Sequence, residues 1–321
     1  MNREEVRTSL ADAIRLHTAD DFELFGLVHE PDGVRGVAVV FVHGLGSNGF
    51  VPFSDSLAAT LPAAGVALLR GNLRDPEMLR IDESPQTFEV SKGGGAFHRF
   101  EDSVQDLRAW VGEAERRGYE RVVLFGHSLG SLKSTHYLYR TGDPRVAGLV
   151  LASTADLVAM NESRYTSEER DRFLATVRSL VREGRGRELM PPECAMGLMR
   201  QPVSAESYLD RFDEPPAWDV MDLYDRGSTR AFEALRVVEV PILALFGTVD
   251  ETVPENCLDV VFQRLEREAK NAPSFESHVL KGANHFYSGR GDEVAEITLG
   301  WLRRVVLPDE DLRGLLRPFG R

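Results

Sequence analysis

Cysteine is scarce: the 321 residues contain 2, Cys194 and Cys257, with neither CxxC nor metal-ligand spacing. That excludes a disulfide framework and a thiolate metal site, and it fits a reduced, cytoplasmic protein in which both thiols are simply packed. Long hydrophobic runs are missing as well, none approaching the ~20 residues needed to span a bilayer, so no membrane partner is expected. The first stretch, MNREEVRTSLADAIRL, carries acidic side chains and no apolar h-region, and is not read as a secretion signal. Basic residues are in deficit, 38 Lys and Arg against 51 Asp and Glu, for a formal net charge of -13. A phosphate backbone would find no basic stripe here, so nucleic acid is excluded and the charge is read as solubility. His17, His29, His98, His127, His136 and His278 show no ligand spacing with nearby acids and are read as structural. The hydrophobic content of 42% and charged content of 28% suit one large domain, or a domain with an insertion.

The most informative stretch is RVVLFGHSLGSLKSTHYLYR, residues 121–140. Residues 122–125 are apolar and β-branched or aromatic, which predicts a buried strand. Leu129, Leu132, His136 and Tyr139 then fall at helical spacing. Between strand and helix lies Gly126-His127-Ser128-Leu129-Gly130, a G-x-S-x-G turn. That pattern alone is weak, but strand, sharp turn and helix in this order predict a nucleophile elbow, with the serine hydroxyl exposed at the tip. The flanking glycines are required because strand and helix approach too closely there for a Cβ.

From about residue 22 to residue 302 the chain resembles the α/β-hydrolase superfamily, in the form of a serine esterase-like member with a helical cap. Residues 37–42, VAVVFV, run into His43-Gly44-Leu45-Gly46, an HG-x-G segment. By the resemblance it supplies an oxyanion-hole N–H from Leu45, with Leu129 giving the second. A flexible Gly-rich turn is the plain alternative; no GK[ST] follows, so a phosphate loop is excluded. His43 is read as turn-stabilising. Residues 241–246 lead into Gly247-Thr248-Val249-Asp250, the superfamily's usual acid position, and residues 276–280 lead into Gly282-Ala283-Asn284-His285-Phe286, similar to the loop that carries its histidine. The order Ser128, Asp250, His285 is that of nucleophile, acid and base in these enzymes. Asp156, after the preceding strand, is the alternative acid. Each residue singly has a bland reading, such as a capping acid or a loop histidine; the four motifs in order, each after a predicted strand, carry the assignment.

The resemblance implies an α/β-hydrolase fold: a mostly parallel eight-stranded sheet flanked by helices. The core is expected over residues 1–155 and 236–321, with a helical cap over residues 156–235 between strands six and seven. Thr166 and Glu169 predict a capping box for a helix ending near Gly184, and residues 204–212, 217–225 and 228–235 are further helical candidates. Residues 97–117 predict an amphipathic helix, residues 57–65 another, and residues 1–20 a short helix or arm. Five methionines, 160, 190, 196, 199 and 221, fall in the cap region. Most are assigned to its own core, and His43, Gly44, Trp218 and Met221 are kept as substrate-pocket candidates. Arg70 and Arg74 are read as salt-bridge residues rather than an anion site.

The expected activity is hydrolysis of a carboxylic ester of a small to medium organic molecule, with no metal and no organic cofactor. Hydrolysis of a carbon–carbon bond in a diketone, thioester cleavage, and a non-catalytic small-molecule receptor share the same residues. Haloalkane and epoxide hydrolysis are disfavoured because those relatives place Asp where Ser128 stands. GHSLGS and the unusual loop over residues 70–92 also resemble a fungal and plant hydrolase family that includes siderophore esterases. The oligomeric state is open, a homodimer included.

Overall fold

The computed structural model describes residues 10–32, 36–76, 79–83, 88–198, 200–228, 230–254 and 257–307. Met199, residues 308–321 and the first nine residues lie outside them. An eight-stranded sheet forms the centre. Its strands are β1 (Asp12–His17), β2 (Glu23–His29), β3 (Val37–Val42), β4 (Ala67–Gly71), β7 (Arg121–His127), β8 (Val146–Ala152), β9 (Ile242–Gly247) and β10 (Phe275–Leu280), in the spatial order β1-β2-β4-β3-β7-β8-β9-β10. The intervening β5 (Leu79–Glu83) and β6 (Phe88–Lys92) pair with each other in a separate two-stranded sheet. β1 and β2 run antiparallel to their neighbours and the other six strands are mutually parallel.

Every residue of β3 is buried. Val37, Val39 and Phe41 point into one core, while Ala38, Val40 and Val42 point into the other. This is why the strand reads as an unbroken apolar run: both faces are covered. Helices α1 (Pro52–Ala63) and α9 (Gly291–Val305) cover the first face; α2 (Asp102–Arg116), α3 (Leu129–Thr141) and α8 (Leu258–Glu268) cover the second.

Between β8 and β9, the sixth and seventh strands of the large sheet, run α4 (Leu157–Arg164), α5 (Ser167–Arg182), α6 (Ala205–Phe212) and the single turn α7 (Glu233–Arg236). The capping box at α5 is present, with Glu169 N–H on Thr166 Oγ1 at 3.2 Å and Thr166 N–H on the Glu169 carboxylate at 2.9 Å.

Four expectations need correction. Residues 12–17 form an edge strand rather than a helix, with Ile14 and Leu16 packed inward and their neighbours exposed, a period of two. α1 starts earlier than residue 57, because Pro52 suits the first helical turn. α2 starts later, at Asp102, since residues 95–97 are spent in a turn. Residues 217–225 are turns and irregular chain, and of 228–235 only the part from Glu233 is helical, in the single turn Glu233–Arg236. There the Asp222 carboxylate takes the N–H groups of Arg226, Gly227 and Ser228, offering the backbone an alternative to helical bonding.

The candidate active site

The order of strands locates the site before any side chain is considered. β3 lies between β4 and β7, so the loops leaving β3 and β7 diverge to opposite sides of the sheet. A crevice opens at the carboxyl ends of the strands at such a switch point. The loop after β3 is His43-Gly44-Leu45 and the turn after β7 is Ser128.

Ser128 has φ 57° and ψ -125°, a left-handed conformation that a serine adopts only under constraint. The constraint is the close contact of α3 with the sheet. A Cβ on Gly126 would lie 2.6 Å from backbone atoms of Gly130 and Ser131, and one on Gly130 would overlap the carbonyl of Val42. The first turn of α3 therefore rests on the end of β3 and draws the 43–46 loop against the serine. A Cβ on Gly44 would stand 2.9 Å from Ser128 Cβ and 3.3 Å from its Oγ. Gly44→Ala is accordingly expected to displace the hydroxyl and lower kcat/KM about 100-fold, the cost of misplacing a reacting group by an ångström or less. Steady-state kinetics alongside a thermal melt checks this, a large loss of activity with a small loss of stability being the expected result.

His43 is fully buried and braces the loop. Its Nδ1–H donates to Gly44 O at 3.0 Å, and its Nε2 accepts the Leu73 N–H at 2.9 Å. Burial holds its pKa down at about 4, so it is neutral. Leu45 N–H makes no hydrogen bond among the described residues, and Leu129 N–H, at the first position of α3, has no helical carbonyl to bond.

His285 lies on the loop after β10 and Asp250 on the loop after β9. His285 Nδ1–H donates to Asp250 Oδ1 at 3.0 Å. The same oxygen accepts from Thr252 N–H at 2.9 Å and Thr252 Oγ1 at 2.7 Å. Burial opposes ionisation of Asp250, but the bonds from His285 and Thr252 hold its carboxyl down at about 2, so it stays an anion. The His285 loop is fixed by backbone bonds: His285 N–H to the Glu251 carboxylate at 2.9 Å, and His285 O from His127 Nε2–H at 2.7 Å. Beneath it, Tyr287 O–H donates to Leu245 O at 2.9 Å and accepts from Ser153 Oγ at 2.9 Å. Glu251, Ser153 and Tyr287 had no signal in the sequence, because their bonds run to backbone atoms or across distant strands; Thr252 bonds locally to Asp250 and was not singled out.

Asp156, the alternative acid, is placed elsewhere. It caps α4 through Ala159 N–H at 2.8 Å, accepts Leu223 N–H at 3.0 Å and lies 3.2 Å from the Arg226 guanidinium. Burial pushes its carboxyl up to about 6. Arg70 pairs with Asp55, and Arg74 with Asp106 and Asp20, both as salt bridges.

These buried groups give the fold a pH dependence. An imidazole ordinarily titrates at 6.5, but burial lowers His43 to about 4 and His127 to about 3. The unfolded chain therefore takes up protons first as pH falls below 6.5, and stability is lost by about 2 kcal/mol per histidine by pH 5. Asp156 works in the opposite sense, since its folded form protonates first, recovering about 1 kcal/mol by pH 5. His29, buried and likewise lowered to about 4, adds to the loss, so urea unfolding is expected to show the chain less stable at pH 5 than at pH 7 by several kcal/mol; equal stability would mean these imidazoles are not buried and neutral.

Ser128 and His285 both line one cleft, together with Gly44, Leu45 and Thr252 from the sheet side. The β8–β9 segment supplies the facing wall through Leu157, Met160, Gly197, Leu198 and Gln201. A Cβ on Gly46 would overlap the Gln201 amide, so this wall touches the 43–46 loop. Of the pocket candidates, Gly44 lines this cleft. His43 is buried in the loop. Trp218 lines a second, adjoining cavity, and Met221 is buried within the β8–β9 segment, on neither wall. Among the described residues no three His, Cys, Asp or Glu side chains cluster to hold a metal, and no helix is long and apolar enough to cross a membrane.

A family model described as "Protein of unknown function (DUF1749)" matches residues 9–306. No curated protein matches the sequence. Solved structures match across nearly the whole chain. Est1E from Butyrivibrio proteoclasticus is 16% identical with a TM-score of 0.58, over 92% of this chain and 98% of that one. The α/β hydrolase GrgF from Penicillium sp. sh18 is 15% identical with a TM-score of 0.63, over 92% and 99%. The Pyrococcus furiosus esterase Pf2001 is 15% identical with a TM-score of 0.58, over 93% and 92%. The fold is thus the α/β-hydrolase fold.

Proposed function

We propose that this chain, which belongs to the DUF1749 family, is a serine hydrolase that cleaves a carboxylic ester of a small to medium organic molecule. The observation that carries the reading is the His285–Asp250 bond at 3.0 Å on the same cleft as a serine held at positive φ. Ser128 Oγ is the nucleophile, attacking the ester carbonyl as His285 Nε2 accepts its proton. The N–H groups of Leu45 and Leu129 bind the oxyanion, each contributing about 3 kcal/mol by analogy with comparable deletions. The proton passes from His285 to the departing alcohol, leaving an acyl-serine. Water, deprotonated by the same imidazole, attacks that acyl group and releases the acid. Asp250 holds the imidazole with its proton on Nδ1 and stabilises the imidazolium. Residues 156–235 act as a cap whose wall residues select the substrate.

The test is steady-state turnover of ester, thioester and diketone panels across pH 6–9. Esters are expected to be turned over repeatedly, with the rate falling on acidification because an imidazolium cannot accept the serine proton. A single burst from activated esters with no steady state, and no turnover elsewhere in the panels, would leave a ligand-binding receptor as the correct reading.

A further inference from the structure

The cavity beside the cleft has a chemistry of its own. It shares Leu157, Met160 and Gly197 with the cleft, so the two cavities adjoin. Its other walls include Asn161, Arg164, Met196 and Trp218. Arg164, which is exposed to solvent, has no carboxylate within ion-pair distance among the described residues; its guanidinium meets the carbonyls of Ala195 and Gly197, at 3.3 Å. Directly behind the wall sits a second arginine. Arg211 stacks on the Trp218 ring at 4.7 Å and lies 4.0 Å from Met196 Sδ.

Arg211 is only 3% exposed, and its donors reach the carbonyls of Gly95 and His98, while its Nε has no partner. The two carboxylates that act on it are engaged elsewhere: Asp75 pairs with Lys133, and Asp210 accepts the Phe100 N–H. Burial lowers its pKa only to about 10, so it keeps its charge. One turn earlier on the same face of α6 is Tyr208, fully buried, packed 4.9 Å from the wall residue Phe212. Its hydroxyl, near Asn161, makes no hydrogen bond of normal geometry. A buried cation without a bonded anion is costly to the fold.

We propose that this cavity is a subsite for a carboxylate at the far end of the acyl group, which makes the substrate a half-ester of a dicarboxylic acid. The inference rests on the reading of Ser128 as the ester-cleaving residue. The Arg164 guanidinium and the Asn161 amide line the cavity, and the Arg211 guanidinium and Tyr208 hydroxyl lie in the layer behind its wall. A carboxylate offers the acceptor oxygens and the charge that these groups lack.

The test uses binding, so it does not require turnover. Monoethyl esters from succinate to suberate are titrated into Ser128→Ala by calorimetry, each beside its neutral diethyl ester. At the chain length that spans the two cavities, the acid is expected to bind at least about tenfold tighter than its neutral partner, as charge-assisted bonds would give. In Ser128→Ala carrying Arg164→Gln that ratio should fall several-fold, and Tyr208→Phe should lower it as well; both avoid placing a neutral side chain at the buried Arg211. Equal or weaker binding of the acids at every length, no binding of either, or a ratio untouched by both substitutions would overturn the proposal. Turnover of neutral esters by the unsubstituted chain reports separately on the hydrolase reading, which stands or falls without the subsite.

Discussion

Replacing Ser128 by alanine is expected to lower kcat on the protein's own ester by about four to six orders of magnitude, with the fold retained. The size follows from the loss of the covalent route. Without Oγ there is nothing for His285 to activate, and only the two N–H groups and substrate binding remain to assist a direct attack by water. The fold should survive because the change removes one atom beside Gly44 and fills no new space. The strain at φ 57° is unchanged, since alanine is no better suited to it than serine. A circular dichroism melt beside the kinetics separates the two effects, and a variant that keeps more than about a hundredth of the activity would remove Ser128 from the nucleophile role.

The second large effect distinguishes the two acids. Asp250→Asn is expected to lower kcat about ten-thousandfold. The amide cannot stabilise an imidazolium, and it can present a donor to Nδ1, which turns the ring's accepting nitrogen away from the serine. Asp156→Asn is expected to change kcat by less than about tenfold, because its oxygens meet Ala159, Leu223 and Arg226 rather than His285. That substitution should show itself in stability instead, as the cap of α4 and a charge partner of Arg226 are weakened together. A silent Asp250→Asn with a crippled Asp156→Asn would exchange their roles.

The parts of this molecule that could be read from sequence are those where local chemistry and tertiary context agree. The buried strands were legible because residues such as Val37–Val42 are apolar on both faces, which only a covered sheet permits. The turn at Ser128 was legible because close packing demands glycine at 126 and 130. The capping box of α5 was legible because both partners lie within one turn. The first strand was not, since Asp12–His17 is short, polar on alternate positions and held by pairing with Glu23–His29 rather than by its own apolar content. The helical spacing over 217–225 did not show that the Asp222 carboxylate would take the backbone N–H groups of residues 226–228 and break the chain into turns there. The braces of the candidate site, His127 on the His285 carbonyl and Tyr287 on Leu245, join residues 158 and 42 positions apart, a separation at which no spacing rule operates.

The central claim is that Ser128 is the nucleophile of a serine hydrolase, and the most direct measurement of it is covalent capture. The chain is incubated with a fluorophosphonate at neutral pH and examined by intact-mass and peptide mass spectrometry. The account predicts a single adduct on Ser128, absent from Ser128→Ala and strongly slowed when His285 is replaced by alanine. An adduct on another serine, or an untouched Ser128 in the folded protein, would contradict it.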